Sequence, residues 1–305
     1  MQEVRIVNPA HHNIQVGLVL GGGGARGIAH VGILKVFEDE HIPISLIVGS
    51  SVGALIGATY ALHPNARDLV NKVQRVISEH GLFKLENFFV KSNKDDTSES
   101  RMHKVANFLH EIYVMRFKNT RSSFVDASMM NGLIQELVGD ATFEDLKIPF
   151  VAMTTDMLSG EHVVLGHGPL KPAILASTAI PGAFPMVEWH GRLLADGSLV
   201  LPMPARIAKE MGMDMVIAID VGRDVIKKKL NNITEVCVQA ETITSNELRR
   251  LNLKEADIVI EPNVRHISWA HFSKSRSCSK KGIEAAHKAI PKIKIAMAKI
   301  ERQKV

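Results

Sequence analysis

Two short stretches near the start of the chain combine residue types that could carry out acyl transfer. They are GGGGARG at residues 21–27 and GSSVG at residues 49–53. GSSVG fits G-x-S-x-G, the pattern of a serine that a sharp strand-to-helix turn exposes as a nucleophile. Its middle residue is Ser51, flanked by Gly49 and Gly53. Ser50 is the rival serine, but its spacing to the two glycines fits the pattern less well.

The glycine stretch has two interpretations. Gly22, Gly24 and Gly27 fit the G-x-G-x-x-G dinucleotide fingerprint, which would make the protein a nucleotide-binding oxidoreductase. That fingerprint requires an acidic residue at the end of the next strand, where this sequence has Gly49-Ser50-Ser51. The stretch is better explained as an oxyanion hole, because successive backbone N–H groups before a helix converge on a negative oxygen.

The neighbouring elements are predicted to bring the two stretches together. Residues 14–20 and 44–48 have the apolar, branched composition of buried strands, and residues 28–40 have helical periodicity. A strand, a helix and a second strand form a βαβ unit, so the two strands are parallel. Because the carboxyl ends of parallel strands meet at one edge of a sheet, Ser51 should lie beside the glycine loop.

The rest of the chain continues to alternate strands and helices. Strands are predicted at 149–156, 188–196 (as a hairpin), 215–220 and 257–260, with helices between them and a long helix from about 279. This alternation predicts one three-layer α/β/α domain with a mostly parallel central sheet.

A serine nucleophile needs a base, and the residues alone leave its identity open. The chain has 14 histidines, among which His30, His266, His271 and His287 are candidates, but none lies in a recognisable motif. Asp196 precedes Gly197 after a predicted strand. An aspartate before a turn glycine is usually structural, so this pair by itself does not indicate catalysis.

Taken together, the motifs resemble those of patatin-like phospholipases, most closely the compact bacterial branch. The resemblance rests on GGGGARG, GSSVG and ADG (195–197) in the family's order, with STAIPGAFPMV (177–187) before the aspartate. It implies a patatin-like acyl hydrolase domain over residues 16–210. Residues 211–305 are expected to continue the α/β architecture on the same domain.

The resemblance also implies a mechanism. Ser51 would be the nucleophile and Asp196 the proton acceptor of a Ser–Asp dyad that has no catalytic histidine. The oxyanion site would comprise Gly22, Gly23, Gly24, Arg26 and Gly27, with backbone N–H groups of the three glycines as donors and Arg26 supporting the loop. The reaction would hydrolyse a carboxylic ester of an acyl lipid through an acyl-enzyme, with no metal or organic cofactor. A non-catalytic regulatory or scaffold protein on the same fold is the alternative.

Two positions depart from the family pattern. Ser198 follows Gly197 where a second Gly or Ala is common, and Leu201 stands where an asparagine often precedes the proline. These departures concern the hydrogen bonds of the local loop. The glycines should serve the oxyanion, so bulky substitutions at Gly23 or Gly24 are expected to lower turnover far more than stability.

An acyl-lipid hydrolase needs an apolar channel and access to lipid. Candidate channel residues are Phe83, Phe88, Phe89, Met129, Met130, Phe184 and Met186. Residues 81–100 fit either a lid that opens at a lipid surface or a variable insertion, and the sequence does not decide between them. The basic, amphipathic stretch 280–305, which Pro291 should interrupt, could lie on an anionic membrane.

Composition excludes several classes of protein. The net charge is +5, but aromatic residues make up 5% and are not interleaved with basic clusters, which argues against nucleic-acid binding. Two cysteines without metal-ligand spacing argue against zinc and favour a reducing compartment. No signal peptide or membrane-spanning run is found, so we expect a cytoplasmic protein, with peripheral contact at the inner membrane face.

Overall fold

The structure is a computed structural model that describes residues 14–80, 82, 86, 127–225, 227, 229–231 and 233–304. A mixed sheet of eight strands runs through this part of the chain. Its strands are β1 (Val16–Leu20), β2 (Leu46–Ser50), β3 (Phe150–Asp156), β4 (His162–Leu165), β5 (Val187–Trp189), β6 (Arg192–Asp196), β7 (Met215–Ile219) and β8 (Ile258–Ile260).

Each strand is hydrogen-bonded to the next along the path β5-β6-β3-β2-β1-β7-β8, and β4 also pairs with β3. Strands β3, β2, β1, β7 and β8 are parallel, whereas β4, β5 and β6 add antiparallel pairs at one end. The parallel strands β1 and β7 are apolar along their whole length because both of their faces are buried, whereas β2 and β3 become polar at their carboxyl ends.

Helices cover both faces of the sheet. They are α1 (Ala29–Asp39), α2 (Val52–Leu62), α3 (Ala66–Glu79), α4 (Ala127–Val138), α5 (Leu170–Ser177), α6 (Ala205–Glu210), α7 (Ile233–Asn252) and α8 (Ser275–Lys304). Side chains alternate across each strand, so Leu18 and Leu20 enter one core and Val19 the other. The predicted three-layer α/β/α fold with a mostly parallel sheet is confirmed.

The C-terminal helix differs from its prediction in two ways. It begins at Ser275 and continues through Pro291, which was expected to interrupt it. Its apolar residues Ile290 and Ile293 on either side of the proline are buried in the core, and this packing holds the helix together across the missing N–H. Two apolar residues of the stretch that we expected to lie on a membrane therefore pack on the body of the protein, whereas Ile295 of the same stretch is exposed.

Other expectations lie outside the described residues. The predicted lid at 81–100 is described only at Leu82 and Glu86.

Strands β7 and β8, beyond residue 211, extend the same sheet as β1, and α8 packs against α1. None of the helices in the described ranges is both long and apolar enough to cross a membrane.

Candidate active site

Ser51 lies in a strained turn between β2 and α2. Its φ is 55° and its ψ is −128°, a backbone conformation that residues other than glycine rarely adopt. A Cβ on Gly49 would lie 2.5 Å from the Cα of Ala54, and one on Gly53 would lie 2.1 Å from the Leu20 carbonyl oxygen. Both glycines are therefore required for the helix to turn this closely against the sheet.

The backbone of this turn is held in place by hydrogen bonds. The Ser51 N–H donates to the Ser177 hydroxyl at 3.1 Å, and the Ser51 carbonyl accepts from the N–H of Ala54 at 2.9 Å. Ser177 is fully buried at the end of α5. It lies in the 177–187 stretch, but no sequence pattern identified it as a support for the turn.

The sheet register brings Asp196 to Ser51. Strands β2 and β6 share one edge of β3, because β4 occupies the other edge. On that edge Ser50 pairs with Met153, and Asp196 pairs with the next residue, Thr154. The parallel strand β2 therefore ends where the antiparallel strand β6 ends, and the residues that follow them meet.

The Asp196 side chain is almost completely buried in this junction. Burial raises the pKa of its carboxyl to about 6, while hydrogen bonds from the Ser51 hydroxyl and from Ser198 act in the opposite direction. The Ser198 N–H donates to Asp196 Oδ1 at 2.8 Å. Thr155 Oγ1 holds the Asp196 backbone by donating to its carbonyl oxygen at 2.9 Å.

Gly197 lets this aspartate approach β3. A Cβ there would lie 2.4 Å from the Met153 carbonyl oxygen. Ser198, the departure from the family pattern, places its hydroxyl oxygen 3.0 Å from that of Ser50. The Ser50 hydroxyl is thus hydrogen-bonded to Ser198, whereas the Ser51 hydroxyl is the one that lowers the pKa of the Asp196 carboxyl.

The glycine loop leaves three consecutive N–H groups without a backbone partner in the described part of the chain. The N–H of Gly21 donates to Ile219, that of Ala25 to Trp269, and that of Arg26 to Gly23. Between them, Gly22, Gly23 and Gly24 donate to no described carbonyl. Gly22 borders the nucleophile, since a Cβ on it would lie 3.2 Å from Ser51 Cβ.

Arg26 and Gly27 lie in the loop but are engaged elsewhere. The Arg26 guanidinium donates to the carbonyl oxygens of Val221 at 2.8 Å and Ile267 at 3.0 Å, and burial lowers its pKa to about 10. A Cβ on Gly27 would lie 2.2 Å from Val52 Cγ1, so this glycine allows the loop to approach α2. Both residues shape the loop, and the N–H groups without partners belong to Gly22–Gly24.

Two of the four candidate histidine bases have other partners, and the other two, His266 and His287, are exposed. His30 is buried against the Gly21 carbonyl, and His271 lies 3.3 Å from Glu86. His287 is exposed on α8. Within the described ranges, no hydrogen bond joins a histidine to Ser51, and no cluster of His, Cys, Asp or Glu could hold a metal ion.

An apolar cavity of about 90 Å³ opens from Ser51. Side chains of α2, α3 and α4 form most of its wall, together with Phe184 and Trp269. Of the predicted channel residues, Met130 and Phe184 line it, whereas Met129 and Met186 do not. Phe83, Phe88 and Phe89 lie outside the described residues.

Comparisons with known proteins match most of the region that forms this site. A model of the patatin-like phospholipase family matches residues 18–209. Neuropathy target esterase sws of Drosophila melanogaster is 31% identical over 209 residues, which are 68% of this chain and 13% of that protein. Patatin-like phospholipase domain-containing protein 6 of Homo sapiens is 32% identical over the same shares of the two chains.

A bacterial relative is more similar in length. An uncharacterized NTE family protein of Mycobacterium bovis is 31% identical over 68% of this chain and 49% of its own. The chain thus spans less than half the length of these curated relatives. Among solved structures, VipD from Legionella pneumophila aligns over 93% of this chain and 67% of its own, with 12% identity and a TM-score of 0.49.

The family match covers well over half of the chain. Relatives that are more than 30% identical cover two thirds of it. The family match includes the serine turn and the glycine loop. The chain therefore belongs to the patatin-like phospholipase family.

Proposed function

We propose that the protein is a serine acyl-ester hydrolase that acts on acyl lipids through a Ser51–Asp196 dyad. The observation that carries this proposal is the register by which β2 and β6 end side by side, with a buried Asp196 carboxyl whose pKa the Ser51 hydroxyl lowers against the effect of burial. A nucleophile and a proton acceptor within hydrogen-bond reach are what the first step requires. Membership in the family supports lipid as the substrate class.

In the proposed first step, Ser51 Oγ attacks the ester carbonyl carbon and Asp196 accepts the hydroxyl proton. The carbonyl oxygen becomes negative as the tetrahedral intermediate forms. The N–H groups of Gly22, Gly23 and Gly24 donate to no carbonyl in the described ranges, so they are suited to stabilise this negative oxygen. In the substrate the same oxygen is neutral.

The intermediate then breaks the ester bond. The leaving alcohol takes the proton from Asp196, and the acyl group stays on Ser51. In the second half, water attacks the acyl-enzyme, Asp196 accepts a proton from that water, and Ser51 Oγ recovers its proton as the fatty acid leaves. The cavity beside Ser51 is apolar and would hold the first carbons of the acyl chain during both halves.

The proposal is tested with p-nitrophenyl esters and a fluorophosphonate probe. Ser51→Ala and Asp196→Asn should each lower turnover by about 10³-fold or more, because each removes one member of the reacting pair. The probe should label the wild type at Ser51. Ser50→Ala is the matched control for the neighbouring serine, and it should still be labelled.

Two results would contradict the proposal. A wild-type protein with neither turnover nor labelling would favour the alternative, a regulatory or scaffold protein on the same fold. Labelling that Ser50→Ala abolishes and Ser51→Ala preserves would move the nucleophile to Ser50. Cytoplasmic location and peripheral contact with the inner membrane face stay predictions.

A further inference from the structure

His30, in the first turn of α1, is a buried histidine that the proposed chemistry does not use. Its side chain is fully buried, and its Nε2 lies 2.9 Å from the Gly21 carbonyl oxygen. Its other ring nitrogen, Nδ1, has no hydrogen-bond partner among the residues that the structure describes. A buried polar atom without a partner is costly, and an apolar residue at this position would avoid the cost.

The single hydrogen bond fixes the state of the ring. Burial lowers the pKa of His30 to about 4, so the imidazole is neutral at physiological pH and carries one proton. The Gly21 carbonyl oxygen can only accept, so the proton is on Nε2. His30 is therefore a permanent donor aimed at one carbonyl of the glycine loop.

That carbonyl belongs to the same peptide group as the Gly22 N–H. In a planar trans peptide the C=O and the N–H point in opposite directions. With its carbonyl turned toward His30, the Gly21–Gly22 peptide turns its N–H away from α1. Gly22 itself lies beside the nucleophile, because a Cβ there would lie 3.2 Å from Ser51 Cβ.

We propose that His30 is a positioning residue that fixes the Gly21–Gly22 peptide so that the Gly22 N–H faces the oxyanion formed on Ser51. This inference rests on the proposed hydrolase function. Neither glycine has a Cβ to restrict rotation, so the peptide between them can flip when its carbonyl is not held. A flipped peptide would place a carbonyl oxygen beside the oxyanion and replace attraction with repulsion.

The role predicts a specific kinetic signature. The Gly22 N–H acts on a charge that is present in the transition state, whereas the acyl chain binds in the apolar cavity in both states. Loss of the His30 donor should therefore lower kcat and leave KM nearly unchanged. Removal of one oxyanion donor typically lowers kcat about 10²- to 10³-fold.

The experiment compares His30→Gln with His30→Met in the full chain. The two side chains have nearly the same length, but only glutamine ends in an N–H donor. We expect His30→Met to lower kcat about 10²-fold with KM within about threefold, and His30→Gln to recover at least tenfold of that loss. The affinity of a trifluoromethyl ketone, which forms a charged tetrahedral adduct with serine, should fall in parallel with kcat/KM.

Controls separate this role from simple packing. Ile33→Val removes one methylene from the buried side of the same helix and should change the thermal midpoint without changing the affinity of the ketone. If His30→Met does not fold, His30→Ala provides the same comparison with His30→Gln. Equal kcat and equal ketone affinity in the glutamine and donor-free variants would overturn the inference.

The result is distinguishable from failure of the proposed function. If Ser51→Ala is inactive while the His30 variants match the wild type in kcat and ketone affinity, the dyad stands and the positioning role fails. If Ser51→Ala retains wild-type turnover, the hydrolase proposal itself fails.

Discussion

Asp196 is an acid in surroundings that oppose its charge. Its burial raises the pKa of the carboxyl to about 6, even though Ser51 and Ser198 donate hydrogen bonds to it. As a proton acceptor it must be ionised, so hydrolysis should increase as the pH rises through about 6. The buried Asp196 carboxylate is therefore a stronger base than an exposed one. Its burial as a charged group also lowers the free energy of unfolding, and this loss can be measured.

The sign of that cost follows from linkage. The pKa of Asp196 is higher in the folded state than in the unfolded chain, so its contribution to stability is fully present below about pH 4 and is lost as the pH rises through about 6. Asparagine has no charge to bury. We therefore compare the change in the free energy of unfolding that Asp196→Asn causes at two pH values. This change should be about 2–3 kcal/mol more stabilising at pH 8 than at pH 4.

Urea unfolding at the two pH values measures this difference. Asp156→Asn is a control of opposite sign, because a hydrogen bond from the Leu158 N–H lowers the pKa of Asp156. That variant should lose stability at pH 8 relative to pH 4. An Asp196→Asn variant whose destabilisation is the same at both pH values would show that burial of the charge is not the cost described here.

At the scale of elements, the glycine loop and the serine turn could be predicted because their chemistry is local. A glycine is required where a Cβ would collide with the backbone of another residue. The glycines of G-x-S-x-G, Gly49 and Gly53, are two such positions around Ser51. The position of Asp196 depends instead on strand register. Residues 150–153 of β3 pair with β2 and residues 154–156 pair with β6, a division that no periodicity in the sequence reveals.

The loop also shows why some supports could not be predicted. His30 is a single polar residue in an apolar segment and Ser177 belongs to a polar pair with Thr178, and neither has a periodic pattern of its own. Their roles depend on carbonyl and N–H groups that belong to other elements. Ser198 was visible as a departure from the family pattern, but its bond to Ser50 requires β2 and β6 to meet.

The glycines of the loop are not equivalent, and this changes which substitution tests the oxyanion hole. A Cβ on Gly24 would lie 2.4 Å from the Trp269 carbonyl oxygen, and Gly24 has a φ of 57°. A Cβ on Gly23 would lie 2.8 Å from the Val221 carbonyl oxygen. Substitutions at either position therefore also strain the backbone, so the expectation of a selective loss of turnover applies better to Gly22.

Gly22→Ala should impair catalysis more than folding. The added Cβ would meet the Ser198 hydroxyl, which can rotate away, and would then lie 3.2 Å from Ser51 Cβ, in the space of the reacting carbonyl. We expect a decrease in kcat/KM of about 10²-fold with little change in the thermal midpoint. Gly24→Ala is the paired variant, and it should lower both. Equal losses of stability in the two variants would mean that Gly22 serves only the turn.

At the scale of the whole molecule, the site depends on residues beyond the region that the family pattern matches. That region ends at residue 209, yet Val221 and Ile267 accept the hydrogen bonds of Arg26. The Trp269 carbonyl accepts the N–H of Ala25 in the same loop. Carbonyl groups between Val221 and Trp269 therefore hold the glycine loop by hydrogen bonds. Helix α8, which follows them in the chain, packs against α1.

Two glycines make the contact between α1 and α8 close. A Cβ on Gly282 would lie 2.1 Å from the Ala29 carbonyl oxygen, and one on Gly32 would lie 2.1 Å from that of Ser279. The helices approach backbone to backbone, so a larger side chain at either position must separate them. Separation would displace the start of α8 and, with it, the chain that carries the carbonyls of Ile267 and Trp269.

Gly282→Val should therefore lower both stability and turnover. Forcing these two backbones apart should cost about 1–3 kcal/mol of the free energy of unfolding. Lys288→Val is the matched control, because it places the same β-branched residue at an exposed position of the same helix. Thermal melts and kcat are measured for both variants. If α8 holds the loop, Gly282→Val should lower kcat at temperatures where it is still folded, whereas Lys288→Val should not. Full activity of folded Gly282→Val would show that the loop keeps its geometry without this contact.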